Sequence, residues 1–388
     1  MLLKDIYSWI FILIASAMIA VGRVYDERLE IGGVNFSIIL SSLFIIFSIP
    51  LFSSVKSFKI NSSKRYLFGF LALIFFSPIL WGFYGLTEYG IEKYVNFVVI
   101  IIPLVLISSI FKHQDVKRLF EILLYFILFL AILGIIKVGS SVERLSVLGG
   151  GPIVFARWMI IGVLIVFFLK KRNVKNIMLV GVFLLLSIAA GSRGPVLSLF
   201  LTIAIFSLIN FQKLFFKLII IGVIAGSLFI AFDGLDVKNL GKADRLTTKD
   251  SRSKNARLIF AARSLELCSM YPAGVGLGNW QEYCNKTTPH HLLKHQYPHN
   301  LILEVFAEIG LLGGIVLLLL IVKSIYFTFV RMLKYSKENS IYELLFYLQV
   351  FLLINSVFSG SLNDSRLLFI VIAISLIAEP LLPRKLDA

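Results

Sequence analysis

The sequence predicts an all-α polytopic membrane protein, and three observations lead there. Hydrophobic residues make up 58% of the 388-residue chain, and its mean hydropathy is +0.91. Apolar runs long enough to cross a hydrocarbon core of roughly 30 Å recur from Ile6 to Leu382. Lysine and arginine collect in alternate short connections: Lys56 to Arg65, Lys112 to Arg118, Lys170 to Lys175, Lys213 to Lys217, Lys323 to Lys337, and the tail Arg384-Lys385. That alternation follows the positive-inside rule. It also accounts for most of the formal charge of +16, which in a soluble protein would point to nucleic acid. No nucleic-acid partner is therefore expected.

The apolar runs place spans near 6–22, 35–52, 66–86, 93–111, 118–138, 153–169, 176–191, 194–210, 214–232, 300–322, 341–359 and 366–382, about twelve in all. The first has the length of a signal-peptide core. It lacks a small-residue cleavage site and is followed by many similar runs, so it reads as a helix. With Lys4 inside, an even count returns the C-terminus to the cytoplasm and puts every basic connection on that side. The chain reads as a single membrane domain, 1–388, with one large external loop, 233–299, inserted into it.

At Ser192-Arg193-Gly194-Pro195 two apolar runs meet with almost no connection. Pro195 suits the first turn of the second helix, and Arg193 falls at the external interface. An arginine at that depth faces a polar cavity or a partner, or it snorkels to headgroups.

The loop from Asp233 to His299 holds most of the reactive groups: Arg245, Arg252, Arg257, Arg263, the histidines His290, His291, His295 and His299, and both cysteines. Residues 256–270 read as an amphipathic helix with Leu258, Ala261, Ala262, Leu265 and Cys268 on one face, broken at Tyr271-Pro272-Ala273-Gly274. The run from Gly274 to Trp280 has three glycines but not the spacing, strand or lysine of a nucleotide fingerprint. It reads as a tight turn whose peptide N–H groups approach a ligand or another helix.

Cys268 and Cys284 either bridge in an oxidising compartment or stay as two small buried thiols. His291, His295 and His299 follow helical spacing, but Pro298 disfavours helix at Tyr297, and no cysteine or carboxylate sits beside them. The expectation is no metal. A neutral imidazole at the start of the next helix is better used as a general base, and His299 is the one so placed. Guanidinium forks match phosphate oxygens, so a lipid diphosphate is the natural counterpart of arginines at this level.

Ser192-Arg193-Gly194 at a helix junction, Arg257 fifteen residues before Pro272, and His299-Asn300 followed by Glu304, Gly310 and Gly313 together resemble the O-antigen ligase and O-antigen polymerase superfamily of bacterial membrane glycosyltransferases. His299-Asn300, nine residues, Gly310, two residues and Gly313 match the ligase pattern of His, then Asn, Ser or Gln, followed by the same glycine spacing. Arg263 and Gly274 fit the Arg-x10-Gly spacing described for polymerases. The resemblance covers Ser192 to Gly313; earlier helices match in hydropathy only. Phe260 stands where the family commonly carries Trp.

The resemblance implies a GT-C-like fold and an inner-membrane enzyme with its active site in the periplasm. It implies a metal-independent, inverting transfer from an undecaprenyl-diphosphate-linked oligosaccharide, without a cofactor. Arg193, Arg257 and Arg263 would hold the donor diphosphate, and His299 would deprotonate the acceptor hydroxyl. Arg144, Arg157, Tyr297, Asn300 and Glu304 are second-rank substrate contacts.

Polymerase and ligase share this donor and differ in acceptor, a second lipid-linked glycan or a lipid A core sugar. The run Gly149 to Arg157 looks like segments of polysaccharide polymerases, which favours that reading and allows for a chain-length regulator as partner. The His-Asn pattern favours a ligase, and a protein-glycosylating member of the superfamily ranks third. A lipid-linked glycan transporter is the competing class, but the candidate groups gather at one face, with Glu304 and Glu308 on the helix after His299 as exceptions that can face the outer cavity, whereas transporters place charges in broken helices at mid-membrane.

Overall fold

The computed structural model describes residues 2–20, 30–31, 34–54, 64–138, 145–148, 150–209, 251–287, 297–337 and 339–377. In chain order the main helices are α1 (Leu2–Ala20), α2 (Phe36–Ser54), α3 (Arg65–Tyr84), α4 (Glu88–Ser108), α5 (His113–Val138), α6 (Gly151–Leu169), α7 (Val174–Ala189), α8 (Arg193–Ile209), α9 (Ser251–Met270), α10 (Trp280–Thr287), α11 (Leu301–Tyr335), α12 (Ile341–Ser359) and α13 (Arg366–Ser375). A two-residue antiparallel pair, Glu30–Ile31 with Val34–Asn35, is the extended structure among the described residues.

Six of these helices, α3, α4, α5, α6, α11 and α12, are long and apolar enough to cross a membrane, and four shorter apolar helices accompany them among the described residues. Among the described residues, six of the about twelve expected spans therefore meet membrane length and composition, and four more correspond to shorter apolar helices. The run at 214–232 lies outside the described residues. The expected span at 366–382 is the ten-residue helix α13, with description ending at Ile377.

The chain divides into two compact units. In the unit formed by 123–254 and 335–359, α6 is buried along most of its length and packs on α7, α8 and α12. Small residues permit these close approaches: a Cβ on Gly162 would lie 2.8 Å from the Phe183 ring. Phe168 stacks on Tyr347 at 5.2 Å.

In the other unit, formed by 1–122, 255–334 and 360–388, α1 packs on α2 and α13 packs on the second half of α4. Phe369 of α13 meets Phe70 of α3 at 5.6 Å and Phe97 of α4 at 6.0 Å. This unit carries α9, α10 and α11, and with them the candidate site.

Candidate functional site

His299 is fixed by the start of α11. The Asn300 side-chain oxygen accepts hydrogen bonds from the backbone N–H groups of Ile302 (3.0 Å) and Leu303 (3.1 Å), a helix N-cap. His299, the residue before the cap, lies in the left-handed region at φ 56°. A non-glycine residue there costs on the order of 1–2 kcal/mol, so its conformation is imposed by its surroundings.

The imidazole lies 4.3 Å from the Tyr297 ring and stacks at 6.2 Å, interplanar angle 20°, on Phe260. Its Nδ1 is buried and makes no hydrogen bond among the described residues. Burial, and then the positive charge of Arg257, push the His299 pKa below its ordinary value, while Asp364 opposes them. The ring is therefore neutral at pH 7, the form that can accept a proton.

The helix expected at 256–270 is present and longer, as α9. Its buried face differs from the expected one. Phe260, Ser264 and Leu267 turn inward, whereas Leu258 and Leu265 are 62% and 60% exposed. The inward set meets Val275, Trp280, Tyr283, Cys284 and Ala307. The Trp280 indole N–H donates to the Ser264 hydroxyl (2.9 Å), and the Trp280 and Phe260 rings meet edge to face at 5.5 Å, tying α10 to α9. Phe260 thus links the α9 core to the imidazole. Arg257, three residues before it, is partly exposed. Arg263 pairs with Glu266 on its own helix.

Cys268, half-buried, and Cys284, buried, are not bridged to each other in the structure. Burial pushes the Cys284 thiol up to about 12 and raises Cys268 as well, leaving both protonated and unreactive at neutral pH.

The glycine run serves another helix. α11 breaks at Gly310 (φ 81°, ψ −176°), and a break at that point frees backbone groups that the helix would otherwise pair. The loop supplies the partners: Val275 N–H donates to Ala307 C=O (3.0 Å), Gly276 N–H to Glu308 C=O (2.9 Å), and Leu311 N–H to Pro272 C=O (2.8 Å). Close backbone contact dictates the residue type. A Cβ on Gly274 would stand 2.5 Å from Glu308 O, and one on Gly310 would stand 2.4 Å from Ala273 C.

The far side of the loop docks on the turn between α3 and α4. The Trp81 indole donates to Leu277 C=O (3.0 Å), Asn279 Nδ2 to Gly85 C=O (2.8 Å), and the Tyr283 hydroxyl to Tyr84 C=O (2.8 Å).

Beneath the loop lies a charge cluster whose lysine sequence reasoning missed, and Glu304, expected as a second-rank substrate contact, is buried within it. Lys93 of α4 is fully buried and pairs with both Glu304 and Glu308 of α11. The second oxygen of Glu304 accepts from Leu362 N–H (2.8 Å), two residues before Asp364. In the sequence Lys93 reads as the first residue of a span, at the membrane boundary. The signal that points to it is the Glu304/Glu308 pair, one helical turn apart on an apolar helix and in need of a counter-charge.

Of the other expected residues, Arg193 is exposed at the first position of α8, and Arg157 is buried in α6; both belong to the other unit. Arg144, Arg245, His290, His291 and His295 lie outside the described residues, as does the side chain of Arg252. Among the described residues no three metal-ligating side chains come together.

These features define a polytopic helical membrane protein in which a loop outside the spans plugs a broken helix and holds a neutral histidine beside an arginine. Residues 178–318 match the family model described as O-antigen ligase. That match, 141 of the 388 residues, contains the Ser192–Gly313 stretch whose motifs resemble this family. Among curated proteins, no relative matches the chain.

Proposed function

We propose that this chain is an inner-membrane glycosyltransferase that polymerises undecaprenyl-diphosphate-linked O-antigen, or a related surface polysaccharide, at the periplasmic face. Both termini are cytoplasmic in this reading, and the 233–299 loop is external. The observation that carries it is the state of His299: a conformationally fixed, neutral imidazole beside Arg257, at the end of a membrane-length helix.

In the proposed reaction His299 takes the proton of the acceptor hydroxyl as the oxygen attacks the anomeric carbon. The glycosidic bond forms, the bond to the diphosphate breaks with inversion, and undecaprenyl diphosphate leaves with the electron pair. The leaving group is good, so what it requires is charge stabilisation rather than a strong acid. Arg257 is the proposed ligand of the developing diphosphate charge, with a bidentate guanidinium in place of a metal. Arg263 is a weaker candidate, because Glu266 already neutralises it. The proposed donor role of Arg193 comes from the sequence resemblance alone.

The second reading is an O-antigen ligase that passes the same donor to a lipid A core. The His299-Asn300, Gly310, Gly313 spacing and the description of the matching family favour it. Lipopolysaccharide from a strain lacking the gene separates the two. A core bearing one repeat unit is expected for a lost polymerase. A bare core with accumulating lipid-linked polymer would overturn that in favour of a ligase.

A further inference from the structure

Helix α9 is apolar on two sides, and the protein covers one of them. Phe260, Ser264 and Leu267 face the core, while Leu258, Ala262 and Leu265 form a stripe on the opposite side that is exposed among the described residues. Spacings of three and four put these residues on one face. Leucines left in water forgo the free energy of burial, so a stripe of this kind marks a contact surface.

Two further observations say what that contact is. The first is level. α3 is a 20-residue membrane-length helix that ends at Tyr84. The Tyr84 ring meets Tyr271, the residue directly after α9, at 5.6 Å, and Tyr271 meets Tyr283 at 5.2 Å. Tyrosines gathered where a span ends are the signature of the membrane–water interface, so α9 terminates in that belt.

The second is continuity. Between Leu301 and Gly310, α11 has no fully exposed side chain, Ile302, Leu303 and Phe306 being half-buried, and from Leu311 onward it turns Leu311, Leu312, Ile315, Leu319 and Val322 outward. The fully exposed apolar row on α11 therefore starts at Leu311, whose N–H is bonded to Pro272 C=O at 2.8 Å, two residues past the end of α9. The chain pins the end of α9 to the point where its own hydrocarbon-facing row begins.

We infer that α9 is an interfacial helix whose Leu258–Ala262–Leu265 stripe seats in the bilayer leaflet on the loop side, so that the lipid surface itself completes the fold around the candidate site. The inference concerns lipid contact and stands or falls apart from the transfer reaction.

The test uses the full-length protein in phosphatidylethanolamine/phosphatidylglycerol vesicles. A nitroxide is attached at Leu258→Cys or Leu265→Cys in a Cys268→Ser background, with Glu282→Cys of α10 as the water-facing reference. Power saturation compares collisions with oxygen, which concentrates in hydrocarbon, against a water-soluble nickel chelate. Both stripe positions are expected to favour oxygen, Leu265 more than Leu258, and Glu282 to favour nickel. Nickel-dominated collisions along the stripe would overturn the inference. Shielding from both agents would also overturn it, by showing protein rather than lipid on that face. Ala262→Cys, a smaller change on the same stripe, repeats the reading if a leucine variant fails to fold.

Discussion

Gly274 and Gly310 meet backbone to backbone: a Cβ on Gly274 would stand 2.5 Å from Gly310 N. Neither has room for a methyl group, and both hold positive φ, 90° and 81°. The contact joins the loop to the break in α11, and through α11 to His299 at its start.

Gly274→Ala or Gly310→Ala should therefore destabilise the fold by about 1–3 kcal/mol or more, from left-handed strain plus the clash. Thermal unfolding in detergent measures it. Gly181→Ala, in the interior of α7 where a Cβ meets nothing within 4 Å, should hold the midpoint or raise it.

Lys93→Met leaves Glu304 and Glu308 buried without their counter-charge. Removing one partner of a buried ion pair costs about 3–5 kcal/mol. Adding Glu304→Gln and Glu308→Gln removes the stranded charges, and the carboxamide oxygen introduced by Glu304→Gln would still accept from Leu362 N–H. The triple variant should recover much of the lost unfolding midpoint, an outcome that a purely steric role for Lys93 does not give.

The pH dependence of transfer has a defined sign. His299 acts as a base only when neutral, and its pKa lies below the ordinary 6.5. Activity should therefore persist below pH 6.5 and fall as pH drops through the depressed pKa. Asp364 raises that pKa and Arg257 lowers it. Asp364→Asn should shift the acid limb to lower pH, and Arg257→Gln should shift it to higher pH. Initial transfer rates between about pH 4.5 and pH 8.5, a range spanning roughly two units either side of the usual histidine value, read both shifts.

Arg257→Lys keeps the charge and loses the planar fork. A bidentate diphosphate contact predicts a fall in kcat/KM of roughly tenfold or more, whereas a purely electrostatic contact survives the exchange. Steady-state kinetics with a lipid-linked donor decide between them.

The membrane helices were legible because long apolar runs leave few alternatives in a chain of this hydropathy. α9 was legible as a helix, but not in its orientation. Its sequence carries two apolar faces, and periodicity alone does not say which one the protein covers. The glycine run read correctly as a backbone turn, while its partner, the broken Gly310 turn of α11, came into view only with the fold. Lys93 escaped because its partner Glu304 lies 211 residues away, and a lysine near the end of an apolar run reads as a boundary marker. His299 was legible from its place before a helix start, whereas its left-handed backbone and its stacking on Phe260 were not.

The most direct test of the account is glycan transfer by His299→Ala, purified and reconstituted with lipid-linked donor and acceptor beside an equal amount of folded wild-type protein. The account predicts unchanged membrane levels and no transfer product. Product formed at the wild-type rate would remove the imidazole from the reaction and contradict the mechanism.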